Sequence, residues 1–389
     1  MKIRLHGGRL VRDSVEPADL LISDGVIEAI VPTDEAVGSE YTVIDCTDKY
    51  VSAGFVDIHQ HGGGGADYMD GGVDTYLSAT EAHLAHGTTS VMPTLLSADT
   101  DGLMTAIAGY KRALKDERIR ANLLGIHIEG PYISPYQAGA QKPENIREFD
   151  PEEYRAIAAF AEGNIRRWSV APEVRGADEF ARFAAEQGIT LSIAHSNADI
   201  DTVRWAFECG YRHITHFYSC VSSITRRGGY RVPGVLEAGY LIDEMDVEII
   251  ADGSHLPPDL LRFVTKFKSA DRVALITDAM RAAGQDVRES FLGSPLDPLP
   301  VIVEDGVAKL TDRSAFAGSV ATADMLLKNM LKIDTPLPRA VKMLTHNPIR
   351  MMNLDVKKGL LKVGYDADIC IFDGEVNVHS VLVGGRVVK

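Results

Sequence analysis

Gly54-Phe55-Val56-Asp57-Ile58-His59-Gln60-His61 is a short apolar run that ends on two imidazoles. Residues two apart on a strand point the same way, so His59 and His61 can face one ion. Reading outward, similar runs return seven times. They are Thr89 to Leu96, Leu123 to Gly130, Arg167 to Glu173, Thr190 to Asn197, His213 to Ser219, Val247 to Asp252 and Val273 to Asp278. Helical stretches separate most of them. Val73 to His86 is one, and Ala177 to Gln187, stopped by Gly188, is another. Such alternation argues for βα units on a parallel sheet. Eight units in about 230 residues is the arithmetic of a (β/α)8 TIM-like barrel. The competing open, doubly wound sheet wants G-x-G-x-x-G after its first strand. Here Gly62-Gly63-Gly64-Gly65 follows two histidines instead and reads as a flexible loop over a metal. Val301 to Leu310 reads as a hairpin inserted after the eighth strand.

Both ends of the chain read as β. Leu20-Leu21-Ile22 and Val26 to Val31 flank Ser23-Asp24-Gly25, where Asp-Gly is a hairpin signal. Thr42 to Asp45 adds a strand. At the far end Ala367 to Phe372 and Val378 to Val383 are strand-like, and Gly384-Gly385 turns into Val387-Val388. Neither end can bury a core alone. We therefore expect residues 1–53 and 353–389 to build one small β-sandwich domain, and residues 54–352 to form the barrel.

The 389 residues are 45% hydrophobic and 24% charged, which excludes a disordered or fibrous chain. Forty basic against 55 acidic residues give a net charge of −15. That argues against nucleic-acid binding through a broad basic surface, but not against one Arg cluster holding a phosphate. No apolar run approaches the roughly 18 residues of a membrane span. Met1 to His6 lacks the apolar core of a signal peptide. Cys46, Cys209, Cys220 and Cys370 are scattered with no C-x-x-C spacing, as in a reducing compartment. The expectation is a soluble cytoplasmic protein with no nucleic-acid or membrane partner.

Polar residues gather at the ends of the expected strands. They are His59 and His61, His127-Ile128-Glu129-Gly130-Pro131, Ala194-His195-Ser196-Asn197, Thr215-His216, Asp252-Gly253-Ser254-His255 and Thr277-Asp278-Ala279. Each fragment alone is weak, because a strand histidine is commonly a hydrogen-bonded core residue. Together they are specific. A barrel brings the C-terminal ends of its strands to one mouth. His59, His61, His195, His216, Glu129 and Asp278 then supply the N/O ligands of a zinc- or iron-type site.

On these motifs the chain resembles the amidohydrolase superfamily and, within it, the N-acetylglucosamine-6-phosphate deacetylases. The likeness spans nearly the whole chain. H-x-E-G-P at His127 to Pro131, Ala171-Pro172-Glu173 and Ala194-His195-Ser196-Asn197-Ala198 are more telling than H-x-H. The resemblance implies a barrel with a β-sandwich from both termini, and a homodimer. It puts one or two divalent ions, zinc or iron, on His59, His61, Glu129, His195 and His216, with Glu129 bridging. It makes Asp278 the general base that becomes the general acid. A metal lowers the pKa of water towards about 7. Asp278 takes a proton from that water as it attacks the acetamide, then protonates the departing amine. His255 is expected on the substrate.

Three places depart from the family pattern. After Thr215-His216 the family continues to an Asn-Ala pair that helps to hold the phosphosugar, whereas this chain has Phe217-Tyr218-Ser219-Cys220-Val221-Ser222. Arg231-Val232-Pro233-Gly234 best matches the segment of the phosphate-binding Arg, which relatives supply from the partner subunit; Arg227 and Arg226 are further candidates, and the segment Arg226 to Arg231 reads as a loop after the sixth strand. Gln141 replaces a His, and its amide can hydrogen-bond a sugar hydroxyl. We carry Ser219, Cys220, Gln141, Arg227, Arg231 and His255 as substrate-binding residues. The substrate that the resemblance implies is N-acetyl-D-glucosamine 6-phosphate, with another acetylated amino-sugar phosphate, such as the galacto epimer, or a different amide as the alternative. A barrel that binds without catalysis is the rival from another class, and the intact His/Glu/Asp set argues against it.

Other residues read more plainly. His83 and His86 suit a solvated helix face. His127, on the face of Glu129, suits a packing or supporting role behind the ligands. His213 belongs in the barrel wall, and His346 and His379 outside the mouth. Cys220 reads as a small buried residue, not a nucleophile.

Overall fold

The computed structural model describes residues 1–389. Eight parallel strands form the central sheet. They are β1 (Phe55–Gln60), β2 (Thr88–Leu95), β3 (Ile126–Glu129), β4 (Ile165–Val170), β5 (Thr190–Ile193), β6 (Tyr211–Ile214), β7 (Asp246–Ile250) and β8 (Val273–Ile276). Each pairs in parallel with the next. The ring closes at its C-terminal rim. Gln60 bridges Ala279, and the Asp278 amide donates to the His59 carbonyl at 2.9 Å. β1 and β2 are buried at every position, as strands covered on both faces must be.

The helices that cover the barrel carry the sequence logic that starts and buries them. α2 (Thr100–Ala113) starts at Asp99, whose carboxylate accepts from the Gly102 amide. α3 (Pro151–Ala161) starts at Asp150 with Pro151 at its first position. α4 (Ala177–Glu186) buries Ala177, Phe180, Ala181 and Ala184, one stripe at helical spacing. Phe180 meets the Trp168 ring edge-on at 5.1 Å and packs tilted against Phe149 at 4.8 Å. Trp168 also donates its indole N–H to the Gly130 carbonyl at 2.7 Å. The apolar core thus grips the residue after Glu129.

Strands from both ends of the chain meet. Ile369–Phe372 lies antiparallel to Tyr50–Ala53, with Ile371 opposite Val51. They belong to a six-stranded sheet that also takes in Arg9–Val11, Val15–Pro17, Val378–Val383 and Arg386–Val387. A four-stranded sheet of Lys2–His6, Asp19–Ser23, Val26–Val31 and Thr42–Asp45 accompanies it. Leu5, Leu20, Val51, Ile369 and Leu382 share one apolar cluster.

Four local expectations need correction. The Gly62–Gly65 segment is not a flexible loop. Gly62–Gly63 pairs with Ala66–Asp67, and a Cβ on Gly62 would lie 2.0 Å from the Ala66 carbonyl oxygen. These glycines permit close packing. His83 is not solvated. It is fully buried in α1 (Val73–Leu84) and bonds the Gly62 carbonyl at 2.9 Å; only His86 lies at the surface, near Asp324. The inserted hairpin is half of a larger sheet. Glu289–Leu292 and Phe316–Ser319 flank Leu299–Glu304 and Val307–Leu310 in a four-stranded meander. The flanking strands are short, and Phe316–Ser319 contains Gly and Ser, so neither carries a clear alternation. Residues 225–232 are a hairpin rather than a loop. Thr225–Arg227 pairs with Tyr230–Val232 across Gly228-Gly229, both at positive φ, as a two-residue turn requires.

Candidate active site

The rim of the barrel brings the strand-end residues to one cavity of about 290 Å³. β1 delivers His59 and, one residue past its end, His61, and β3 delivers Glu129. His195, His216 and Asp278 each lie two residues beyond the last residue of β5, β6 and β8. All three sit at positive φ, at 45°, 29° and 49°. Non-glycine residues pay on the order of 1–3 kcal/mol for such backbone. The surrounding rim holds them there.

Glu129 is the centre of the arrangement. Its Oε1 lies 2.9 Å from His216 Nε2 and 3.3 Å from His195 Nε2. Its Oε2 lies 3.4 Å from His61 Nε2, and His59 Nε2 is 3.6 Å from Oε1. Asp278 Oδ1 faces the other side of the histidine pair, 3.1 Å from His61 Nε2 and 3.4 Å from His59 Nε2. Two donor groups result, His59–His61–Glu129 and Glu129–His195–His216, with Glu129 in both.

The donor chemistry fits a divalent cation. His195 Nδ1 donates to the Gln137 carbonyl at 2.7 Å, and His216 Nδ1 to the Ser219 carbonyl at 3.1 Å. Each bond turns Nε2 towards Glu129, so that the neutral ring, protonated at Nδ1, offers its Nε2 lone pair to a cation. Both ring nitrogens of His59 are buried without a hydrogen-bond partner. Buried polar atoms are rarely left unpaired, and a cation would engage Nε2. Four imidazoles about a shared carboxylate are a donor set that suits zinc or iron.

The electrostatics agree. Burial alone would raise the Glu129 carboxyl, but His59, His195 and His216 outweigh it and hold the group well below the usual range. Burial likewise opposes Asp278, and His59 and His61 keep it low. His61 is carried to about 9 against its burial by Asp278 and Glu129. The carboxylates are therefore anionic and available.

A charged layer supports this floor. Arg167 and Glu248, fully buried on β4 and β7, pair through both terminal guanidinium nitrogens, one contact at 2.8 Å. Glu248 Oε2 lies 3.7 Å from His59 Nδ1. Burial would raise the Glu248 carboxyl, but Arg167 and His59 bring it to about 2. His127 takes the supporting place expected of it, between Thr94 at 3.0 Å and Ser169 at 2.7 Å. His213 lies in the wall, bonded to the Met351 carbonyl at 2.7 Å.

His255, Gln141, Ser219 and Cys220 line the cavity as well. His255 Nδ1 bonds Asp252 at 2.8 Å, which leaves Nε2 for a bound molecule. Cys220 is half-buried rather than buried, because its side chain forms cavity wall beside His195. Arg227 and Arg231 are not in the cavity of their own chain. Both stand exposed on the hairpin; Arg227 reaches Asp199 at 3.4 Å, and Arg231 bonds only the Gly229 carbonyl. Sequence reasoning missed Phe316, which packs on His255 at 4.7 Å, and Leu292. Both come from the inserted meander and carry no polar signal. Gln141 also differs from expectation in that Glu129 already engages its amide.

The sequence of the Amidohydrolase family matches residues 50–388. The chain is 31% identical to N-acetylglucosamine-6-phosphate deacetylase of Lysinibacillus sphaericus over 96% of this chain and 93% of that one. It is 30% identical to N-acetylgalactosamine-6-phosphate deacetylase of Escherichia coli O157:H7 over 98% of each. Among solved structures, N-acetylglucosamine-6-phosphate deacetylase from Pasteurella multocida superposes with a TM-score of 0.92 at 27% identity, covering 100% of this chain and 99% of the other. A mutant of the Mycobacterium smegmatis enzyme in complex with N-acetyl-D-glucosamine-6-phosphate gives 0.90 at 28% identity, with coverage of 100% and 99%. Given the barrel, the paired donor groups and these likenesses, the chain belongs to the amidohydrolase family.

Proposed function

We propose that the protein hydrolyses the acetamide of N-acetyl-D-glucosamine 6-phosphate to D-glucosamine 6-phosphate and acetate. The observation that carries the reading is Glu129 set between two imidazole pairs, with Asp278 against one of them at the cavity. His59, His61 and Glu129 would hold one divalent ion, and Glu129, His195 and His216 another. A zinc or iron ion held there acts as a Lewis acid on the amide carbonyl and lowers the pKa of water towards about 7.

The remaining work falls to the chain itself. Asp278, anionic at neutral pH, accepts the proton of the attacking water at its carboxylate. It returns that proton to the nitrogen of the leaving amine, which is a very poor leaving group unprotonated. His255 Nε2 orients the sugar or the carbonyl, and Ser219 and Cys220 shape the wall beside it. No Arg or Lys lines the cavity, so the phosphate needs a donor from elsewhere. The chain acts as a cytoplasmic homodimer in which Arg231 or Arg227 on the exposed hairpin reaches the partner's cavity.

One observation favours a second reading. Ser219-Cys220 alters the wall next to His216, and the E. coli relative is named for the galacto epimer. Acetate release from both epimers, with and without phosphate, separates the readings. Preference for N-acetylglucosamine 6-phosphate supports the first. Preference for the galacto epimer selects the second, and turnover of neither phosphosugar rejects both.

A further inference from the structure

Gln141 is 7% exposed and touches the cavity from the side of Glu129. Its Nε2 donates to Glu129 Oε2 at 2.9 Å. Its Oε1 accepts the Ser97 backbone N–H at 3.1 Å. That backbone N–H can only donate, so it fixes which end of the amide meets the carboxylate. Ser97 also donates its hydroxyl to the Glu129 main-chain carbonyl at 3.2 Å. Asn145 ties down Ser97 in turn, through its carbonyl at 3.1 Å. One connected group thus holds both the main chain and the side chain of Glu129.

The two oxygens of Glu129 are distinct. Oε1 faces His195 and His216, with His59 Nε2 farther off at 3.6 Å, while Oε2 faces His61 and Gln141. The last torsion of a Glu side chain is broad, so nothing intrinsic to Glu129 keeps its oxygens apart in this way. We infer that Gln141 is a positioning residue that fixes the rotation of Glu129 and so sets the cation affinity of the His59–His61–Glu129 group. Turning its amide towards a sugar would break both of its bonds. The inference rests on the metal reading of the site, but not on the identity of the substrate.

Hydrogen-bond partners of ligating carboxylates are worth about 10–100-fold in metal affinity. The test is zinc content of the full-length protein across graded zinc-chelator buffers, with the visible spectrum of the cobalt-loaded protein as a second readout. Gln141→Met keeps the length of the side chain and removes both bonds. Gln141→His restores an N–H donor. We expect wild type to bind two ions. Gln141→Met should hold the first unchanged and bind the second about 10–100-fold more weakly, and Gln141→His should recover part of that loss. A melting temperature near wild type shows that Gln141→Met is folded. If metal binding is unchanged and only KM for the phosphosugar rises, Gln141 is a substrate contact and the inference fails. Equal weakening of both ions in folded Gln141→Met, or a wild type that binds one ion, overturns it too. Failure of the substrate assay leaves the zinc titration intact, so the two readings fail separately.

Discussion

Nε2 of His216 lies 2.9 Å from Oε1 of Glu129, at the point where two donor groups share one carboxylate. Removing His195 or His216 should therefore cost one ion and the activity together. Removing His59 and His61 should cost the other ion first. Metal analysis of His195→Ala and of the His59→Ala/His61→Ala double variant checks this. Full metal content in His195→Ala would contradict the assignment.

The phosphate prediction concerns the exposed hairpin. A phosphate needs local donors in a chain of net charge −15, and a guanidinium supplies paired, charge-assisted bonds. Arg231→Ala should raise KM for the phosphorylated sugar far more than for the unphosphorylated one, with Arg227→Ala second. Losing one partner of a bound ion costs about 2–5 kcal/mol. Equal effects on both sugars would place the phosphate elsewhere.

Trp168 links core to site through its bond to the Gly130 carbonyl. It is fully buried among Tyr132, Phe149 and Phe180. Trp168→Ala should destabilise the protein by about 3–5 kcal/mol. Denaturant unfolding measures it, and a loss under 1 kcal/mol would mean that the cluster repacks.

Burial brings the His83 imidazole down to about 4. The folded state keeps it neutral, whereas the unfolded state takes up a proton near pH 6.5. Stability from this group is complete above about pH 6.5 and falls as pH drops from there towards 4, by up to about 3 kcal/mol. Urea unfolding between pH 7.5 and 4.5 should show a steeper acid loss in wild type than in His83→Gln. Parallel curves would remove His83 from the pH dependence.

The barrel was legible because all eight strands are apolar runs separated by helices, and their ends carry the chemistry. His59, Glu129, His195, His216 and Asp278 could be gathered from the chain because a barrel has one mouth. His83 could not be read this way. Two histidines three apart look the same whether or not a glycine carbonyl comes to meet them, and that meeting depends on Gly62–Gly63 packing against α1. The positive φ of His195, His216 and Asp278 leaves no mark in composition. Nor does the bond between Gln141 and Glu129, which joins a residue on the loop after β3 to the last residue of that strand. The meander that supplies Phe316 and Leu292 had only its central hairpin in the pattern.

Asp278 tests the central claim most directly. Its Oδ1 is 3.1 Å from His61 Nε2, and it lines the cavity. Asp278→Asn keeps the shape and removes the proton acceptor. The measurement is acetate released from N-acetylglucosamine 6-phosphate by metal-loaded wild type and Asp278→Asn, with metal content determined on the same samples. We predict turnover by wild type and a loss of roughly 10²–10⁴ in kcat for the variant, with KM little changed. A variant that keeps its metal and works at the wild-type rate would contradict the assignment of proton transfer to Asp278. No acetate from metal-loaded wild type would contradict the activity itself.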